Sequence, residues 1–107
     1  MTQTLYYERP VLLNRDTHRN RRIKPGNGFG FARRANSLVL AGVEFNEACK
    51  EYAIVFTRQG GGQVTPVAVL GLRNHENLYV DAQDRWTAAY IPAVLRRYPF
   101  GLAGAGA

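Results

Sequence analysis

The stretch AIVFTRQGGGQVTPVAVLGL, residues 53–72, decides the fold. Its first part, Ala53 to Thr57, is dense in β-branched and aromatic residues, which suit a pleated, half-buried surface. Its last part, Val64 to Leu72, is a second apolar run. Pro66 stands near the start of that run, where a missing N–H is tolerated. Between them, Gln59-Gly60-Gly61-Gly62-Gln63 supplies three glycines for a reversal of direction. Two strand-like runs joined by a short glycine-rich loop predict a β-hairpin.

Working outward on the C-terminal side, Arg73 to Asn77 is polar and reads as a turn. Leu78-Tyr79-Val80 is then expected to add a third strand, giving a three-stranded antiparallel meander at the centre of the fold. Asp84 is placed to cap a helical turn from 85 to 90. Pro92 suits the start of a second helical piece, from 92 to 97, because the residue before a proline is biased away from helix. Pro99 ends that piece.

On the N-terminal side, Phe45, Ala48, Cys49 and Tyr52 recur at i, i+3, i+4 and i+7, the pattern of one buried helix face. Leu38 to Val43 forms a short apolar run consistent with a buried strand, and residues 5–14 read as an extended segment broken at Pro10. The expected architecture is α+β, a small antiparallel sheet with short helices packed on one side. The chain of 107 residues fits one domain, 1–100, followed by a flexible Gly/Ala tail, 101–107.

The formal net charge is +6, and all of it resides in the front third. Residues 1–34 carry Arg9, Arg15, Arg19, Arg21, Arg22, Lys24, Arg33 and Arg34 against Glu8 and Asp16. The remainder balances six basic residues with six acidic ones. Such segregation attracts anions to one region: nucleic acid, an anionic lipid surface or an acidic protein patch. The candidate anion- or partner-binding residues are Arg19, Arg21, Arg22, Lys24, Arg33 and Arg34. The alternative is an arginine-rich loop that serves solubility alone. No stretch reaches the roughly 20 apolar residues of a transmembrane helix, and no secretory signal is evident at the N-terminus. The default expectation is therefore a cytoplasmic location.

Residues able to do chemistry are few and badly spaced for it. His18, Cys49 and His75 do not follow metal-ligand spacing. The histidines read as surface loop residues and Cys49 as a small buried hydrophobe on the helix face. Ser37 lacks a nucleophile elbow, and Asp81 and Asp84 are explained by turn formation. Gly26, Gly28 and Gly30 miss both the dinucleotide and the Walker patterns. Gly28-Phe29-Gly30-Phe31 matches four central positions of an RNA-binding strand signature, with departures at Asn27, Ala32 and Arg34. That signature needs a strand, a helix and a strand before it, and only 27 residues precede Gly28. The plainer reading has Phe29 and Phe31 anchoring a glycine-rich turn to the core. No enzymatic activity and no cofactor are expected. The runner-up to a protein-binding role is a basic RNA- or nucleic-acid-binding module using residues 15–34.

The ordered series of segments resembles the SapC-like family of bacterial proteins. The resemblance rests on Leu13-Asn14 with His18, Phe31-Ala32, Glu44-Phe45 and Tyr52-Ala53-Ile54-Val55-Phe56. It continues through Val67 to Leu72, Glu76 to Val80, Trp86, Tyr90-Ile91-Pro92 and Arg97-Tyr98-Pro99-Phe100. It implies an accessory role in surface-layer or envelope protein export or assembly, with a protein or envelope partner. It also implies that this chain is the N-terminal portion of a longer protein. An open sheet edge would then invite pairing with another copy.

Overall fold

A computed structural model describes residues 6–24, 26, 28–58 and 60–102. Its centre is a three-stranded antiparallel sheet, in the order β1-β3-β2, with β1 at Ser37–Val39, β2 at Ala53–Arg58 and β3 at Val64–Val69. With its short helices this is the α+β class expected. Leu38, Leu40, Ala68 and Leu70 supply the buried centre, joined by Ala48, Tyr52 and Leu95.

The hairpin forms where the sequence places it. Ala53 pairs with Val69 and Arg58 with Val64, in continuous register. Gly61 and Gly62 turn the chain with φ of +82° and +83°, a region that side-chain-bearing residues rarely enter. Pro66 sits in the central strand and makes half of a ladder pair. Its carbonyl accepts the Leu40 N–H at 3.0 Å, but its ring nitrogen, facing the same side, has no hydrogen to return to Leu40, and β1 ends at Val39.

The third strand is not the one expected. Ser37–Val39 pairs with β3 on the side away from β2, so the sheet is not a 53–80 meander. Leu78-Tyr79-Val80 instead turns back on its own continuation. The Asp81 carboxylate accepts the N–H groups of Gln83 and Arg85 at 2.9 and 2.8 Å, and Val80 bridges to Trp86. The β3 edge on which it would pair is already taken by Ser37–Val39, so the chain closes on the Asp81 turn instead. It also removes the helix expected over 85–90, since Asp84 has φ +61° and caps nothing.

Helix α1, Phe45–Ala48, follows a 3₁₀ turn at Gly42–Glu44, and helix α2, Ala93–Arg96, starts after Pro92 at its N-cap. The buried face of the first helical segment is rotated from the apolar pattern. Glu44, Ala48 and Tyr52 point inward, while Cys49 is exposed rather than buried. Phe45 lies half-buried, edge-on to Phe56 at 6.2 Å. The reason is the Glu44 carboxylate. One oxygen accepts the Tyr90 hydroxyl at 2.6 Å and the Ala93 N–H at 2.8 Å, and the other accepts the Ala41 N–H at 2.8 Å. Glu51 accepts the N–H groups of Ala89 and Tyr90 at 2.8 and 2.7 Å. Two acids from one segment thus hold residues 89–93 against the body. Most of the expected Gly/Ala tail, residues 103–107, lies outside the described residues, as do Leu5, Pro25, Asn27 and Gln59.

Candidate functional site

Most of the front-third cations lie on one loop. Residues 8–24 form an excursion whose two ends are held together by aromatic rings. Tyr7 stacks on Tyr98 at 5.7 Å, Tyr98 on Phe31 at 3.7 Å, and Tyr6 meets Phe31 edge-on at 6.3 Å. The Tyr7 hydroxyl donates to the Phe100 carbonyl at 2.9 Å, which fixes residues 98–100 beside the base of the loop.

Asn14 shapes the loop from within. Its side-chain oxygen accepts the N–H groups of Asp16 and Thr17 at 2.8 and 3.1 Å, an Asx turn. The Asn14 N–H donates to His18 Nδ1 at 2.9 Å, and the Asn14 carbonyl accepts the His18 N–H at 2.9 Å. His18 is therefore a loop-closing acceptor in this structure. The resulting curl gathers Arg15, Arg19, Arg21 and Arg22 around an open cleft of about 680 Å³, which Leu13, Ile23 and Phe100 also line. Lys24 is exposed on the same loop.

Among the described residues, the ion pairs are Arg33–Asp84, Lys50–Glu47 and Arg85–Asp81. None involves a cation of the cleft. Arg33, one of the six candidates, is held elsewhere: it pairs with Asp84 and donates to the Asp81 carbonyl at 2.7 Å. Arg34 is exposed but does not line the cleft. The cleft thus takes Arg19, Arg21 and Arg22 from the candidate set and adds Arg15, Leu13, Ile23 and Phe100. Sequence reasoning counted Arg15 as charge but took the aliphatic run Val11-Leu12-Leu13 for part of an extended segment. Only the turn at Asn14, a residue type that favours such turns, hinted at a curl.

The RNA-signature match does not lie on a strand. Gly30–Ala32 is a 3₁₀ turn. Phe31 is stacked on Tyr98, and Phe29 packs 5.9 Å from Trp86, so both rings are used in packing. The glycines serve a close approach: a Cβ at Gly28 or Gly30 would lie 3.0 Å from Asp84, and the Phe29 N–H donates to the Asp84 carbonyl at 2.7 Å. Phe29 and Phe31 therefore anchor a turn, as the plainer reading has it.

The acids are tuned by the backbone they hold. Burial pushes the Glu44 carboxyl up. Hydrogen bonds from Tyr90, Ala41 and Ala93, with Arg96 nearby, outweigh that and keep it below the usual carboxylate range. The Ala89 and Tyr90 N–H groups lower Glu51 in the same direction. Among the described residues no three His, Cys, Asp or Glu side chains gather as metal ligands, and no helix is long and apolar enough to cross a membrane.

Sheet, inward-turned acids and cleft define a small α+β domain that carries a segregated cationic face on one loop. The chain belongs to the SapC family, whose family model matches residues 13–107, from the cleft residue Leu13 through the sheet and both helices. No curated protein and no solved structure gives a significant match to it.

Proposed function

We propose that this SapC protein is a non-enzymatic accessory factor in bacterial surface-layer or envelope protein export or assembly. It acts by docking an acidic partner surface on the loop 8–24. The observation that carries this reading is the cleft: four arginines share it, and none of them is in an ion pair with a described residue. The loop carries six cations against Glu8 and Asp16, so the excess positive charge repels itself and its joint potential is relieved by an external anion. Membership of the SapC family is what supports assigning such docking to that process.

The test is capture from a native bacterial lysate with the whole chain as bait, alongside the triple variant Arg19→Gln, Arg21→Gln, Arg22→Gln. Envelope-associated protein should be recovered by the parent chain and lost with the variant. Recovery of nucleic acid alone, or equal recovery by both baits, would count against the reading.

A further inference from the structure

The cleft is not purely ionic, and its apolar part narrows the kind of surface it fits. Leu12 and Leu13 are 78% and 74% exposed, and Ile23 is 65% exposed, on the same loop as Arg15, Arg19, Arg21 and Arg22. Exposed aliphatic side chains grouped in this way mark a surface awaiting a partner. Nucleic acid gives aliphatic groups little to bind, Phe29 and Phe31 are already packed, and Phe100, 45% exposed at the cleft, is a single ring rather than a row on which successive bases stack. A lipid leaflet offers both chemistries together, hydrocarbon beneath and phosphate at the rim.

We propose that the loop 8–24 docks the protein on an anionic phospholipid surface. Leu12, Leu13 and Ile23 enter the acyl boundary, and Arg15, Arg19, Arg21 and Arg22 grip the lipid phosphates. The aromatic closure at Tyr7, Phe31 and Tyr98 presents the loop ready-shaped, so little ordering is needed on contact. The inference uses the same docking face as the envelope reading but not the process assigned there.

The experiment is co-sedimentation of the full chain with phosphatidylcholine vesicles, with and without phosphatidylglycerol. Binding should need phosphatidylglycerol. Each arginine at a charged membrane surface contributes about fivefold, so the variant Arg19→Gln, Arg21→Gln, Arg22→Gln should bind roughly a hundredfold more weakly. Leu13→Ser with Ile23→Ser should lose about tenfold per side chain and abolish the binding that survives high salt. All five positions are exposed, and circular dichroism checks that each variant keeps its fold. Equal binding to both vesicle types would overturn the proposal. So would full retention of binding by the Leu13/Ile23 variant, or tighter binding to RNA or to an acidic polypeptide than to the vesicles. Vesicle binding that fails while envelope-protein capture persists would remove this inference and leave the envelope reading standing.

Discussion

Glu44 offers the sharpest test of how the domain is held together. The residue is 6% exposed and its carboxylate accepts three hydrogen bonds, two of them from the 89–93 segment. Replacing Glu44 with Ala leaves the Ala93 N–H and the Tyr90 hydroxyl without their acceptor. The Ala41 N–H lies in an exposed residue and can turn to water. Hydrogen bonds to a charged group contribute about 1.5–3 kcal/mol each when buried, and about 1 kcal/mol is a fair value where water substitutes in part. Three such bonds give a loss of about 3 kcal/mol, a large share of the roughly 5–15 kcal/mol that holds a domain of this size. The thermal midpoint should fall by roughly 15 °C. Glu44→Gln keeps one carbonyl acceptor and should lose about half as much. Because the folded Glu44 pKa is lowered, its contribution is complete above the ordinary value of 4.5 and is lost as pH falls through the lower folded value. The Gln variant should therefore show a shallower acid limb in a stability–pH profile. The assay is urea unfolding followed by circular dichroism at neutral and acidic pH. An Ala variant within about 0.5 kcal/mol of the parent, a change ordinary for surface sites, would refute the anchoring role.

Tyr6 and Tyr52 are both pushed up to about 12 by burial, with Arg97 working against the shift at Tyr6 and the Trp86 hydrogen bond against it at Tyr52. A raised folded pKa contributes stability below the ordinary value of 10.0 that is lost as pH climbs towards 12. Spectrophotometric titration should therefore find late-ionising tyrosines whose release coincides with alkaline unfolding; ionisation of every tyrosine near the ordinary value while the chain stays folded would contradict the burial. Gly71→Ala would place a Cβ 2.2 Å from the Glu76 carbonyl oxygen, and should cost about 1–3 kcal/mol in urea unfolding. Gly60→Ala, with open space around it, should be neutral or slightly stabilising. Arg33→Gln removes an ion pair whose side chains are 44% and 48% exposed, so it should cost no more than about 1 kcal/mol. It should also leave anion binding at the cleft unchanged in a salt titration.

The hairpin was legible because strand formers and a glycine turn agree over one continuous stretch. What the sequence hid depended on partners far along the chain. Leu78-Tyr79-Val80 has the composition of a sheet strand, but Asp81 bends it back at once, and composition does not show that the distant segment Ser37–Val39 takes the β3 edge instead. Apolar periodicity chose Cys49 for the buried face because it assigns no inward position to a carboxylate. Glu44 is inward only because Tyr90 and Ala93 bring donors to it. The cationic front could be counted but not sorted: charge alone does not tell Arg33, which Asp84 holds, from Arg21, which lines the cleft.

That sorting has a common cause in what the acids of the body do. Glu44, Glu51 and Glu76 accept backbone N–H groups within residues 41–93. Glu47 pairs with Lys50 and Asp81 with Arg85, both close in sequence. Asp84 alone reaches a cation of the front third, and it takes Arg33. Five of the six acids beyond residue 34 thus engage turns, helix ends or near neighbours, the sixth takes Arg33, and none pairs with an arginine of the cleft. The neutrality of residues 35–107 is therefore spent on the fold rather than on screening the front. A body that pins its own anions in place leaves the potential of Arg15, Arg19, Arg21 and Arg22 directed outward. The inward-facing carboxylates and the cationic cleft are then two sides of one distribution of charge.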